Sequence, residues 1–143
     1  MDEVVAIVQM GKTVVIPISG TSMLPFLREK RDQVRLEALN PQKKITRGDI
    51  LLFVRESGNY VLHRVIEVDD DRLIMLGDNQ LRTEEIYLDQ VRAYVCEAYR
   101  KGRWIQPKNL VWKFYSSFWN HIWIRKLAGK IGRVVSKLKD KQK

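Results

Sequence analysis

Short apolar runs with period-two alternation, separated by turn residues, fill the first hundred positions of the chain. Residues 13–18 read as a strand, carried by Val14-Val15-Ile16-Pro17-Ile18. Val34-Arg35-Leu36-Glu37 alternates as a half-buried strand does. Asp49–Arg55 reads as another strand, Glu56-Ser57-Gly58-Asn59 as a hairpin turn, and Tyr60–Val68 as the strand that pairs back. Asp69-Asp70-Asp71 is a turn into Arg72–Leu76. Gln90–Tyr99 alternates strongly, and Lys101-Gly102 turns into Arg103–Ile105. Residues 2–10 fit a short helix, with Asp2 and Glu3 near its N-terminus and Gly11 past its end. Their β-branched content also fits a strand. Evenly spaced short strands predict a mainly β, antiparallel domain over residues 1–107.

Beyond Pro107 the period changes. Phe114, Phe118 and Ile122 fall at steps of four, and Leu127, Ile131, Val134 and Leu138 continue at steps of four, three and four. Lys126, Lys130, Arg133, Lys137 and Lys141 occupy the other face. Residues 108–143 are therefore expected to form a basic amphipathic helical tail. Three of the four tryptophans lie between positions 112 and 123. Apolar residues with Trp on one face and Lys/Arg on the other suit an interfacial helix on an anionic membrane surface. The structural alternative is a helix packed on the body with its basic face in water.

Charge sharpens that division. The formal net charge is +9. Residues 1–110 hold 17 Lys/Arg against 16 Asp/Glu, whereas residues 111–143 hold nine Lys/Arg against one Asp. Attraction to acidic partners thus belongs to the tail, not the body. Such a tail can bind phosphates non-specifically, but nothing reads bases, so no specific nucleic acid is expected. A single cysteine, Cys96, rules out an internal disulfide framework and fits a reducing, cytoplasmic setting. No run of 18 apolar residues suggests a membrane span. The acidic start Met1-Asp2-Glu3 lacks the basic region of a secretory signal, so no N-terminal anchor is expected. One Cys with His63 and His121 gives no metal-ligand spacing. No cofactor is expected.

Four boxes carry candidate chemistry. Ser19-Gly20-Thr21-Ser22-Met23-Leu24-Pro25 puts a serine among small residues at a strand end. Arg47-Gly48-Asp49-Ile50-Leu51-Leu52-Phe53 follows, then His63-Arg64-Val65, then Gly77-Asp78-Asn79. In this order and spacing, over roughly residues 11 to 100, they resemble the signal peptidase I and LexA-type serine peptidases. A histidine in the general-base position resembles the endoplasmic reticulum, archaeal and sporulation-type signal peptidases. The resemblance implies a LexA/signal-peptidase-like β domain.

It also implies roles. Ser22 would be the nucleophile, which needs an adjacent base because a serine hydroxyl is weak near neutral pH. His63 would be that base, with an ordinary pKa suited to proton transfer near neutrality. Alternation puts Val61, His63 and Val65 on one face and Leu62, Arg64 and Ile66 on the other, so a satisfied core histidine is the structural alternative. Asp78 would orient His63, although Gly-Asp-Asn is also an ordinary turn and the box has a structural role in the family. Histidine-type relatives usually carry a second acid, an Asp, about six positions further on. Glu84 stands there, so Asp78 and Glu84 both remain candidates for the orienting acid. The Ser22 N–H is the expected oxyanion donor. Arg64 and Asp49 read as a structural charge pair, and His121 as interfacial or structural.

The expected function is a serine endopeptidase that cuts leader or signal segments of peptide substrates. Its setting would be cytoplasmic, peripheral at the membrane. Its rivals are a non-catalytic peptide- or membrane-docking module of the same fold and a LexA-type self-cleaving regulator.

Overall fold

The computed structural model describes residues 1–119, 133 and 136–141. Helix α1 (Asp2–Gln9) precedes strands β1 (Val14–Pro17), β2 (Gln33–Glu37), β3 (Ile50–Val54), β4 (Tyr60–Asp69), β5 (Arg72–Leu76), β6 (Glu84–Tyr87), β7 (Val91–Arg100) and β8 (Arg103–Ile105). Helix α2 (Leu110–Phe114) follows and runs into a π-helical turn, Tyr115–Trp119. The strands form one sheet in the order β1-β2-β7-β3-β4-β5-β6, with β8 on β7. Every pairing is antiparallel. The protein is mainly β, as the alternating runs predict.

Strand β3 is central and apolar throughout because both of its faces are covered. Ile50 and Leu52 point into one core with Val8 of α1, Val34 and Leu36 of β2, and Phe26. Leu51 and Phe53 point into a second core with Val65, Leu73, Met75 and Ile86. Strand β4 obeys the same period. Leu62 packs against the first core, while Val61 and Val65 belong to the second.

The tail begins inside the body. Trp112 is buried in the first core, edge-on to Phe26 with centroids 5.5 Å apart. Its Nε1–H donates to the Gly48 carbonyl at 3.1 Å. Gly48 has φ +98°, and a Cβ there would lie 2.6 Å from Ser116 Oγ. A glycine is therefore required before Asp49 both by its backbone and by the tail seated on it. Helical residues recur at 136–141. The expected positions His121, Ile122, Lys126, Leu127, Lys130, Ile131 and Val134 lie outside the described residues.

Candidate active site

Ser22 sits in the loop after edge strand β1, where the Ile18 N–H donates to the Asp32 carbonyl and regular pairing ends. Three features fix this loop. The Leu27 N–H donates to the Met23 carbonyl, and Met23, Phe26 and Leu27 are buried. The Asn79 N–H donates to the Ser22 carbonyl at 2.9 Å. Gly77 lies so close that an added Cβ would be 2.7 Å from the same Ser22 oxygen. Thus the Gly77-Asp78-Asn79 turn holds the serine loop through backbone contacts that a side chain at position 77 would block. Among the described residues, the Ser22 N–H has no hydrogen-bond acceptor, which leaves it free to serve an oxyanion.

His63 lies on β4, opposite Leu51 of β3. It is almost fully buried and packs edge-on to Phe53, centroids 5.9 Å apart. Ser22 and His63 line one cleft of about 570 Å³, together with Ile16, Ile18, Met23 and Leu62. No hydrogen bond joins Ser22 to the imidazole among the described residues. Catalytic contacts commonly tighten only when substrate binds.

The carboxylate behind the imidazole is that of Glu84, the first residue of β6. Its Oε1 stands 3.2 Å from His63 Nδ1. That distance suits an ion pair, but the approach lies off the hydrogen-bond axis, and Nδ1 has no aligned acceptor. Arg55 grips the same carboxylate from the other side, Nε on Oε2 at 3.0 Å and Nη2 on Oε1 at 2.9 Å.

Burial lowers the His63 pKa below its ordinary 6.5, and the Arg55 cation lowers it further, against the opposing pull of Glu84. The ring is therefore neutral near pH 7, the state a general base needs. Burial pushes the Glu84 carboxyl up, but the hydrogen bonds and charge of Arg55, aided by His63, outweigh it and hold the group below the usual 4.5.

Asp78 stands against Arg64 instead of His63. Arg64 Nε and Nη2 each donate at 2.9 Å to a separate Asp78 oxygen, and both side chains are fully buried. The remaining Arg64 nitrogen, Nη1, donates to the Gly48 carbonyl and to Ser116 Oγ, both at 3.0 Å. This corrects the expected pairing of Arg64 with Asp49. Asp49 instead accepts from the Thr46 N–H at 2.9 Å and the Tyr94 hydroxyl at 3.3 Å. Strand alternation is the reason: His63 and Arg64 are adjacent, so they face opposite sides of β4 and cannot share one acid.

Of the four expected site residues, Ser22 and His63 line the same cleft, Glu84 backs His63, and Asp78 braces the turn that holds the Ser22 loop. Arg55 was not singled out from the sequence. Its only signal there is a cation at the last position of the expected β3 run, just before the hairpin turn. Among the described residues, no group of three or more His, Cys, Asp or Glu side chains is gathered as a metal site. Comparison with protein-family models, curated proteins and solved structures returned no match.

Proposed function

We propose that the protein is a serine endopeptidase, similar in mechanism to the histidine-type signal peptidases, acting on leader or signal segments of peptides. The observation that carries this reading is the placement of Ser22 and His63 in one cleft with Glu84 behind the imidazole. In the first step His63 takes the Ser22 hydroxyl proton as Oγ attacks the scissile carbonyl. The Ser22 N–H stabilises the oxyanion. His63 returns the proton to the leaving amine, and an acyl-enzyme remains for water to hydrolyse. Glu84 holds the ring and stabilises its cationic form.

The cleft suits an extended segment. It is bordered by β1, whose sheet neighbour among the described residues is β2 alone. It is also bordered by Tyr60–His63 of β4, which pair with β3 but precede the first β5 pairing at Arg64. Two unpaired strand edges can add a peptide by main-chain hydrogen bonds, while Ile16, Ile18 and Leu62 meet its side chains. Small residues before the cut are expected from the family resemblance. Incubation with leader peptides should give one discrete cut, lost in Ser22→Ala; cleavage that survives in Ser22→Ala would remove the assignment.

The setting we propose is the cytoplasmic side of an anionic membrane, held peripherally. No helix among the described residues is long and apolar enough to cross a bilayer. Leu110, Phe114 and Phe118 are exposed, and the two phenyl rings stack at 5.7 Å. With Lys113 nearby and the basic residues beyond, this face is suited to the headgroup boundary.

A non-catalytic peptide-docking module is favoured by one observation, the missing hydrogen bond between Ser22 and His63. A docking module would bind leader peptides equally well in wild type and Ser22→Ala and cut them in neither.

A further inference from the structure

Glu84 is awkwardly placed for holding a histidine. It opens β6, an edge strand whose sole sheet neighbour among the described residues is β5. Its side chain is 27% exposed. A glutamate also has one more rotatable bond than an aspartate, so more freedom is lost when it is fixed in one orientation. Left alone, such a carboxylate would sample several positions around the imidazole.

Arg55 removes that freedom. Its guanidinium binds both Glu84 oxygens at 2.9–3.0 Å, the bidentate geometry that fixes the plane of a carboxylate as well as its position. Oε2 takes Arg55 Nε, and Oε1, which takes Nη2, also stands 3.2 Å from His63 Nδ1, where its negative charge, without an aligned hydrogen bond, favours a proton on that nitrogen. Arg55 is itself anchored. Its N–H donates to the Asn59 carbonyl at 2.9 Å, and its carbonyl accepts from Gly58 N–H at 2.8 Å. Gly58 has φ +91°, so this turn needs a residue without a Cβ penalty. A half-exposed ion pair adds little to stability, so folding alone does not account for the fork.

We propose that Arg55 is a positioning residue for the proton relay: its guanidinium fork holds Glu84 against the Nδ1 edge of His63, fixing the tautomer that leaves Nε2 free to accept the Ser22 proton. This proposal rests on the serine-peptidase reading for its catalytic meaning, but the structural linkage is measurable without activity. Arg55 sets the tautomer through Glu84, while its charge acts directly on the His63 pKa; its effect on the tautomer therefore vanishes when Glu84 cannot respond.

The test uses the full chain with ¹⁵N-labelled histidine at pH 7.5, where long-range proton–nitrogen correlations report which ring nitrogen carries the proton. Wild type should show His63 protonated at Nδ1. Arg55→Met should shift the ring toward a mixture of tautomers. Arg55→Lys should do the same, because an ammonium keeps the charge but not the fork. Glu84→Gln should lose the preference too, and adding Arg55→Met to it should change nothing more. In parallel, acylation of Ser22 by a serine-reactive probe should slow about 10- to 100-fold in Arg55→Met, with the double variant no slower than Glu84→Gln alone. An unmoved tautomer in Arg55→Met, or a further loss in the double variant, would overturn the proposal. Variants that shift the tautomer as expected, beside a wild type that never acylates, would overturn the peptidase reading and leave the positioning role intact. Wild type that acylates, with Arg55→Met equal to it, would do the reverse.

Discussion

The Ser22 carbonyl lies 2.7 Å from the point where a side chain on Gly77 would begin. The serine loop and the β5 exit turn therefore press together at backbone level, and the neighbouring Asn79 N–H bonds the same oxygen. Gly77→Ala must displace one of the two. Overpacking of this kind costs about 1–3 kcal/mol. The shift also moves Ser22 relative to His63, so acylation should slow about 10- to 100-fold. Thermal melting and probe labelling of the same sample check both effects. Unaltered labelling would show that the turn does not set the serine position.

The two acids should separate by what their loss does. Asp78→Asn leaves the Arg64 cation buried with half its partner gone, and breaking a buried pair costs about 3–5 kcal/mol. Glu84→Gln disrupts a partly exposed pair, which should change stability by under about 1 kcal/mol. It should still slow acylation about 10²- to 10⁴-fold by removing the charge behind the base. Denaturant melts alongside labelling rates read both. Equal stability losses in the two variants would contradict this division of roles.

That division also marks where the sequence stops being informative. The apolar runs and the turn residues between them reveal β1, β2, β3, β4, β5, β7 and β8. They miss β6. In Glu84-Glu85-Ile86-Tyr87 only Ile86 is buried, and the strand is held by pairing with β5, a long-range partner that no local pattern reports. The candidate serine and histidine were legible from motif order. The acid was not, since the opposite-facing neighbours His63 and Arg64 each take a carboxylate and the sequence does not say which takes which. The periodicity of the tail predicts one amphipathic helix. Yet Trp112 is a core residue bonded to Gly48, and periodicity alone does not distinguish a face turned to core from a face turned to lipid.

Acid should weaken the protein in both rate and stability. His63 has its folded pKa held below 6.5, so in the window just below 6.5 the unfolded chain binds more protons than the folded one. The contribution of the neutral buried ring is complete above that window and declines as pH falls through it. Glu84, held below 4.5, adds stability that is lost at still lower pH. The acid limb of kcat/KM should accordingly fall below pH 6.5. Glu84→Gln removes a charge that raises the His63 pKa, so its limb should move to lower pH. A limb that moves upward in Glu84→Gln would contradict the placement of that carboxylate beside His63.

The exposed face of α2 and the following turn gives a test independent of catalysis. Replacing Phe114 and Phe118 by Ser should reduce cosedimentation with vesicles containing phosphatidylserine, while leaving probe labelling of Ser22 unchanged. High salt should weaken the residual binding, because the tail's charge attraction is screened. Binding that is indifferent to both changes would remove the membrane role of this face.

The most direct measurement is the intact mass of the protein after exposure to a serine-acylating probe, with Ser22→Ala and His63→Ala alongside. The account predicts one adduct on wild type, located at Ser22 by peptide mapping, none on Ser22→Ala, and a rate reduced by several orders of magnitude in His63→Ala. An adduct that forms equally on all three, or a wild type that stays unmodified while cleaving no leader peptide, would contradict it.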